Sequence, residues 1–275
     1  MIISSLTNQR VKDVVRLRNR RSRDRAEKLL IEGYRELLRA VDNGYPIEEL
    51  FFCPELFQGE NEEALISRLQ GRGAQVVQTT DAVFRKMAYR DRPEGLIGIG
   101  PQVRRSLDDL DLSSASPLFL AAEAIEKPGN LGTILRSADG AGATGLILCD
   151  RCTDLFNPNV VRASIGTIFC VPVADASSEE ALAWLHEHQI RILAATPHSD
   201  RLYTEVDFTG PVAISVGTEQ YGLSEGWMQS ADLRVRIPML GQVDSLNVAT
   251  ATALLLYEAV RQRHGSGMLA PGARP

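Results

Sequence analysis

The chain has 275 residues, of which 44% are hydrophobic and 24% are charged, and its formal net charge at pH 7 is -5. These values are typical of a globular protein with one large or two medium domains, and the negative charge excludes a protein that is basic throughout. No apolar run approaches the roughly 20 residues that cross a bilayer, and the N-terminal residues lack a signal-peptide core, so we expect a cytoplasmic protein with no membrane partner.

Four cysteines are too few for a disulfide framework in a chain of this length, which favours a reducing compartment. Cys149 and Cys152 form a CxxC pair, which is found in redox sites and as one half of some metal sites. No second CxxC accompanies the pair, and no histidine has ligand spacing to it. We therefore predict no metal site and interpret these cysteines as buried or loop residues after a strand.

A basic segment lies near the start of the chain. Residues 10–39 contain 11 Lys and Arg against 5 Asp and Glu, a local charge of +6, and the first part of the segment has helical periodicity. Dense arginine is expected of a surface that contacts phosphates, although runs of charge also occur on ordinary solvated helices. We predict RNA contact for six side chains of this segment and for one later arginine, namely Arg10, Lys12, Arg18, Arg20, Arg21, Arg23 and Arg162.

Strands and helices alternate through the rest of the first hundred residues. The pattern predicts strands at 29–31, 49–53, 74–78 and 95–99, and helices at 33–43, 62–72 and 81–87. This alternation indicates a small α/β domain, residues 1–104, in which no catalytic cluster stands out. The polar, turn-rich residues 105–116 are predicted to link it to a second domain.

The second domain is also predicted to be α/β. Its pattern indicates strands at 118–122, 145–149, 168–173, 190–195, 211–216 and 233–237, and helices at 157–165 and 178–188. Pro128, Gly129 and Gly132 predict a turn after the first of these strands, with a helix beginning near Ile134. Residues 211–216 are continuously apolar, which is typical of a strand with parallel neighbours and cover on both faces.

The last strand leads into a polar loop and then a long helix that begins near Val248. Ser245 or Asn247 is predicted to cap that helix, leaving free backbone N–H groups near the loop. A strand end, a polar loop and a helix N-terminus together favour ligand binding. The alternative is a capped helix with no ligand.

Three segments that follow predicted strands contain the polar residues of interest. They read NLGTILRSA at 130–138, GTEQYG at 217–222 and IPMLGQVDSLNVATA at 237–251. In order, spacing and internal letters they resemble the three motifs of the SpoU (TrmH-like) family of RNA ribose 2′-O-methyltransferases, in the SPOUT superfamily. The N-terminal third, through TNQRVKDVVRLRNRRSR and LIEGYRELLRA, is similar to the ribosomal-protein-L30e-like substrate domain of rRNA-modifying members.

The resemblance implies a SPOUT α/β domain, residues 117–264, whose C-terminus passes through a loop to form a deep trefoil knot. The composition of 265–275 predicts a disordered tail. The implied cofactor is S-adenosylmethionine, held largely by backbone atoms of the second and third motifs. The positions carried over for it are Gly217, Ile237, Met239, Leu246 and Asn247. The family is dimeric, which implies a homodimer in which motif one of one subunit lies near the cofactor of the other.

The implied reaction is methylation of a ribose 2′-hydroxyl, most directly in rRNA, and the implied catalytic residues are Arg136, Asn130, Glu219, Ser245 and Asn247. A hydroxyl is a poor nucleophile and must be deprotonated or polarised. Because arginine is effectively always protonated, we expect Arg136 to hold a phosphate and stabilise developing negative charge. Glu219 is expected to accept the proton or to orient motif one. The side chains of Asn130, Asn247 and Ser245 would bind the ribose or hold the loops. The alternative role for Ser245 is a helix cap.

Two positions depart from the family pattern. Ala249 stands where a serine is common, and Glu126-Lys127-Pro128 replaces an Asp-Pro-like pair. Three other functions stay open, namely a tRNA 2′-O-methyltransferase, a non-catalytic RNA-binding protein with the same fold, and a nucleotide-dependent oxidoreductase. The long N-terminal domain argues against the first, the intact polar residues against the second and the absence of GxGxxG against the third.

Overall fold

A computed structural model describes residues 2–265 of the chain. The predicted disordered tail, 265–275, lies outside these residues except for Gly265, which ends a helix. The chain divides into two compact units. We call Met1–Val103 with Asp154–Cys170 the N-terminal unit, and Arg104–Thr153 with Val171–Pro275 the C-terminal unit.

Within residues 2–265, eleven strands and ten α-helices form. The strands are β1 Ile2–Ile3, β2 Lys28–Glu32, β3 Glu49–Phe52, β4 Gln75–Thr79, β5 Leu96–Pro101, β6 Leu118–Glu123, β7 Gly145–Cys149, β8 Val173–Ala176, β9 Arg191–Ala195, β10 Val212–Val216 and β11 Leu233–Val235. The helices are α1 Gln9–Arg16, α2 Arg20–Ala26, α3 Tyr34–Asp42, α4 Glu62–Gly71, α5 Asp81–Met87, α6 Pro128–Gly140, α7 Pro158–Ala163, α8 Ser178–Glu187, α9 Glu225–Ser230 and α10 Val248–Gly265.

The N-terminal unit contains a five-stranded mixed sheet in the order β1-β4-β3-β5-β2. Strand β3 runs parallel to β4 and antiparallel to β5, which also pairs antiparallel with β2. Apolar side chains of the sheet, including Leu30, Phe51 and Ile97, pack with those of α1 and α5, such as Val11 and Phe84. The strands and helices predicted between residues 29 and 99 are confirmed within one or two residues at each end.

The basic segment is not one continuous helix. Helix α1 ends at Arg16 and α2 begins at Arg20, because Asn19 has extended backbone angles of φ -92° and ψ 131°. This break changes the direction in which the following arginines project. It brings Arg23 into the interior of the N-terminal unit, where it is 1% exposed.

Residues 154–170 pack with the N-terminal unit although they follow β7 in sequence. Asp154 forms a buried ion pair with Arg23, and Arg39 donates to the Ile165 carbonyl at 2.6 Å. Gly166 has φ +81°, and a Cβ built there would lie 2.8 Å from the Glu36 Cα, so only glycine permits this approach. The residue range 117–264, which was predicted to form a second domain, therefore includes a segment that belongs to the N-terminal unit.

The C-terminal unit contains a six-stranded sheet in the order β11-β9-β10-β6-β7-β8, with every pairing parallel. The predicted parallel neighbours of the apolar strand are confirmed, since β10 lies between β6 and β9. Phe119, Ile147, Leu185, Ile192 and Trp227 share one core cluster. Helix α10 packs against α6 and β10. None of the helices in residues 2–265 is long and apolar enough to cross a bilayer.

Two boundaries predicted after residue 117 are wrong. Helix α6 begins at Pro128, so Asn130 lies in its first turn and not in a loop. Proline fits the first helical position because its missing N–H would be unpaired there, and its fixed φ suits the helix. The strand predicted at 168–173 is also wrong, since Thr167–Phe169 forms a 3-10 turn and β8 begins after Pro172, which has no N–H for a sheet.

Candidate active site

The candidate site lies in the C-terminal unit, after three strands of its parallel sheet. Helix α6 follows β6, a tight turn at 217–222 follows β10, and the loop 236–247 follows β11. Carboxyl ends of parallel strands meet at one edge of a sheet, where α/β proteins bind ligands. The fold thus brings the three predicted motifs to the same edge.

The turn at 217–222 is closed by its own hydrogen bonds. Thr218 and Gly222 exchange backbone hydrogen bonds of 3.0 Å in both directions, and the Thr218 hydroxyl accepts from the Tyr221 N–H at 2.9 Å. A Cβ added to Gly217 would lie only 2.1 Å from the Gly222 carbonyl oxygen. Glycine is required at 217 because the two sides of the turn approach so closely.

The carboxylate of Glu219 joins the three motifs. Its Oε1 accepts from the side-chain amides of Asn130 at 3.0 Å and Asn247 at 2.5 Å, and Asn247 also donates to Oδ1 of Asn130 at 3.1 Å. Its Oε2 pairs with the ammonium of Lys127. These hydrogen bonds, that of Lys127 first and that of Asn130 next, hold the pKa of Glu219 below its usual range. The structure therefore places three of the five predicted catalytic residues in one network.

Asn247 also caps the last helix. Its Oδ1 accepts from the backbone N–H groups of Ala249 at 3.0 Å and Thr250 at 3.4 Å. Of the two caps that the sequence allowed, the structure thus selects Asn247. Ser245 is exposed and makes no hydrogen bond to any part of the chain between residues 2 and 265, so it stays outside the network.

Arg136 is also outside the Glu219 network. It is exposed, and no hydrogen bond or ion pair joins its guanidinium to another described residue. It follows Asn130 by six positions on α6, which places the two side chains about a third of a turn apart around the helix axis. Asn130 contacts the loops of its own unit, and Arg136 projects in another direction with its charge unpaired.

The predicted cofactor residues lie in segments with free backbone groups. Ile237, Met239 and Leu246 are half-buried in a loop without regular secondary structure. In the described part of the chain, no backbone–backbone hydrogen bond involves residues 238–246. Unpaired N–H and C=O groups in a folded loop are satisfied by water or by a ligand. This donor and acceptor set fits an adenine ring and a ribose, which are recognised through such groups.

Two residues that contribute to the site were not predicted. Lys127 was noted only as a departure from the family pattern, because the helix that it precedes was predicted to begin near Ile134 and not at Pro128. Glu123 is 6% exposed and accepts from the Ser224 N–H at 2.7 Å and the Ser178 hydroxyl at 3.1 Å. Its carboxylate thereby fixes the chain just after the 217–222 turn. Nothing in the local sequence distinguishes Glu123 from an ordinary surface acid.

The CxxC cysteines show no sign of a shared site. Cys149 is buried and Cys152 is exposed, and burial raises the pKa of the Cys149 thiol well above its ordinary value. Among residues 2–265, no group of three or more His, Cys, Asp or Glu side chains is arranged to hold a metal ion.

Three of the predicted RNA ligands have structural roles in the N-terminal unit. Arg23 is buried against Asp154, so its assignment as an RNA ligand conflicts with its position. Arg18 donates to the carbonyls of Lys86 at 2.6 Å and Ala88 at 2.5 Å. Arg10 pairs with Glu49 at 2.5 Å. Lys12, Arg20, Arg21 and Arg162 are exposed, as predicted for surface contacts.

A groove of about 900 Å³ in the N-terminal unit is lined by several Arg and Lys side chains. Its charged lining residues are Arg10, Arg16, Arg21, Arg25, Lys28, Asp13 and Glu49. Five cations thus face two carboxylates, a net positive surface in a protein of negative net charge. Arg16, Arg25 and Lys28 were not among the predicted ligands, because the break between α1 and α2 that creates the groove was not foreseen.

Comparisons with known proteins agree with this arrangement. Residues 117–257 match the model of the SpoU rRNA Methylase family, and residues 8–98 match an MRM3-like substrate binding domain. The 23S rRNA (uridine(2479)-2'-O)-methyltransferase of Streptomyces viridochromogenes is 34% identical over 255 residues, which cover 90% of this chain and 87% of that protein.

Two solved structures are similar over nearly the whole chain. An AdoMet-bound rRNA methyltransferase from Sinorhizobium meliloti has a TM-score of 0.87 and 32% identity, covering 98% of this chain and 99% of its own. An RNA 2'-O ribose methyltransferase has a TM-score of 0.83 and 40% identity, and the match covers 96% of this chain and 100% of its own. Together with the family model, which matches the unit that contains all three motifs, these similarities establish that the chain belongs to the SpoU rRNA methylase family.

Proposed function

We propose that the protein transfers a methyl group from S-adenosylmethionine to a ribose 2′-hydroxyl of rRNA. The observation that carries this proposal is the meeting of Asn130, Glu219 and Asn247, one from each family motif, in a single hydrogen-bond network. The 23S rRNA (uridine(2479)-2'-O)-methyltransferase that matches 90% of this chain supports rRNA over tRNA as the substrate.

S-adenosylmethionine, when bound, supplies a methyl group on a positively charged sulfur. We assign its binding to the backbone of Gly217 and of the loop that contains Ile237, Met239 and Leu246. The N–H and C=O groups of this loop, from 238 to 246, have no backbone partner among residues 2–265. Asn247 fixes the end of this loop by capping α10. The loop is therefore anchored at its C-terminal end.

The chain's polar side chains would then activate the ribose hydroxyl. Arg136 holds a neighbouring phosphate and stabilises negative charge on the attacking oxygen. Guanidinium groups suit this role because they are cations, and no hydrogen bond or ion pair joins that of Arg136 to another described residue. Glu219 receives three hydrogen bonds, which make its carboxylate a weaker base. We therefore assign Glu219 to orienting Asn130 and Asn247, and the proton to water. Ser245, which is exposed and makes no hydrogen bond within residues 2–265, is assigned to contact the ribose.

We propose the finer features of the family fold for this chain as well. The loop 236–247 leads from β11, at one edge of the sheet, to α10, which packs on central β10 and on α6. This path past the 217–222 turn supports a C-terminal trefoil knot. The mixed sheet of the N-terminal unit supports an L30e-like domain that binds RNA, with residues 1–104 as its main sequence range and 105–116 as the linker. We propose 117–264, apart from the segment 154–170, as the methyltransferase domain.

A homodimer is the assembly we propose. Leu254 and Tyr257 of α10 are 38% and 52% exposed, and the Tyr257 hydroxyl lies beside Gly140 of α6. These side chains form an exposed apolar strip on α10, beside the C-terminal end of α6. Burial of the strip against a second copy would remove it from water and bring Arg136 of one protomer to the site of its partner. The four free cysteines support a reducing cytoplasm as the location.

Radiolabelled methyl transfer tests the proposed reaction. The full-length protein is incubated with labelled S-adenosylmethionine and unmethylated 23S rRNA or tRNA, and the RNA is digested to nucleosides. We expect label in a 2′-O-methylnucleoside of the rRNA. Label on a base contradicts the role of the ribose hydroxyl, and label in tRNA alone contradicts the substrate. If the protein binds S-adenosylmethionine and RNA but transfers no methyl group to free RNA or to ribosomal particles, it is a non-catalytic RNA-binding protein.

The basic groove of the N-terminal unit gives a prediction with a matched control. Arg21→Ala with Arg25→Ala removes two exposed cations that line the groove, whereas Lys12→Ala with Arg20→Ala removes two exposed cations outside it. We expect the groove pair to weaken rRNA binding and to reduce the slope of log Kd against log salt by about 2, one for each lost phosphate contact. The control pair should change the slope less. Equal effects would show that the groove has no special role.

A further inference from the structure

Lys127 occupies a position that is unfavourable for a cation. It lies at the N-cap of α6, a helix of 13 residues with no acidic residue in its first turn. The positive end of a helix dipole repels a cation at this position. A carboxylate near the ammonium offsets this repulsion, and Glu219 provides it.

The Lys127–Glu219 pair balances the charge of the network. The side-chain amides of Asn130 and Asn247 occupy Oε1 of Glu219, and the ammonium occupies Oε2, so one negative charge meets one positive charge. The pair lies at the surface, where the side chains of Lys127 and Glu219 are 65% and 30% exposed. A substrate that reaches Asn130 and Asn247 must therefore approach the carboxylate of Glu219.

RNA has one negative charge per nucleotide, and an uncompensated carboxylate beside the reacting ribose would repel it. We propose that Lys127 is a positioning residue that neutralises Glu219 and keeps its carboxylate turned towards Asn130 and Asn247 while the RNA is bound. The inference rests on the proposed function and deepens it. Lys127 acts through Glu219 and does not itself contact the RNA.

A double-mutant cycle separates this role from direct contact with a phosphate. Lys127→Met is made alone and together with Glu219→Gln, and binding of unmethylated 23S rRNA by the full-length variants is measured by filter binding at low and high salt. With Glu219 present, we expect Lys127→Met to weaken binding about three- to fivefold, the size of one exposed charge interaction, and less at high salt. In the Glu219→Gln background, the same change should have almost no effect.

Lys127→Arg is the matched control, since it keeps the positive charge and should bind rRNA nearly as the wild type does. An equal loss on Lys127→Met in both backgrounds would assign Lys127 to a phosphate contact and overturn the proposal. The absence of any loss in either background would overturn it as well.

The charge of Glu219 provides a readout that requires no RNA. Pairing with Lys127 lowers the pKa of Glu219, so its removal should raise that pKa. Carboxyl NMR titration should show this rise in Lys127→Met and not in Lys127→Arg, and an unchanged pKa in both would contradict the proposal. If the wild type binds rRNA but transfers no methyl group, the proposed function fails while the binding cycle and the titration still decide the role of Lys127.

Discussion

Replacement of Arg136 by alanine is expected to lower kcat for methyl transfer at least about 10³-fold, the effect of losing one charged group that stabilises the transition state. The Kd of S-adenosylmethionine should stay nearly constant, because within residues 2–265 no hydrogen bond or ion pair joins Arg136 to the loops assigned to that cofactor. The free energy of unfolding should also change little, since Arg136 is exposed and has no partner in residues 2–265. Single-turnover kinetics and calorimetric titration measure the two functional quantities. Loss of cofactor affinity with retained turnover would contradict the assignment.

Mixed dimers test whether Arg136 acts in the partner's site. Arg136→Ala protomers are unfolded and refolded together with protomers that carry a change at Asn247. If Arg136 acts across the interface, each heterodimer has one complete site, and a random mixture should recover about a quarter of the wild-type activity. If Arg136 acts within its own protomer, no complete site forms. Sedimentation of the wild type determines in the same experiment whether a dimer is present.

Replacement of Asn247 by aspartate is expected to lower kcat about 10²-fold or more, because a carboxylate cannot donate to Glu219 and instead repels it. The cap of α10 should survive, since the introduced carboxylate would still offer an oxygen to the Ala249 N–H. This substitution thus removes the hydrogen bond to Glu219 and keeps the helix cap, so the two contributions of Asn247 can be measured separately. Methyl transfer and thermal unfolding are measured on the same variant.

Asn247→Ala is the matched control for the cap. It removes both functions of the side chain, so its activity should fall as in Asn247→Asp while its stability falls by about 1 kcal/mol more. Near-wild-type turnover of Asn247→Asp would show that the amide donor is dispensable. Equal stability of the two variants would show that the cap contributes nothing measurable.

The sequence was sufficient to predict the α/β class, most strands and helices, and the family. It succeeded because several strands, such as β6 and β7, are largely apolar runs and because the three motifs keep their order. The start of α6 was wrong, since Pro128 and the glycines after it resemble a turn locally, whereas burial of Leu131 and Ile134 in the C-terminal unit stabilises a helix there. Local propensity was overridden by packing.

The roles of individual charges were harder to predict than the elements that hold them. Arg23 and Arg21 stand two positions apart in the same basic run, yet Arg23 is buried and Arg21 is exposed. The difference depends on Asp154, which is 131 residues from Arg23 in sequence. Lys127 was equally unpredictable as a site residue, because its partner Glu219 comes from another motif. Pairings at such separations leave no local pattern.

The N-terminal unit is not one continuous stretch of sequence, and this determines when it can be completed during synthesis. Residues 2–103 leave the ribosome first, but Asp154 and the residues up to 170 follow only after the chain 104–153 has been made. Until then, the guanidinium of Arg23 lacks its carboxylate, and the surface that receives Gly166 is open to water. A truncated chain that ends near residue 103 would keep this unfinished state permanently. We expect such a fragment to aggregate or to be degraded, even though it contains every strand of its sheet.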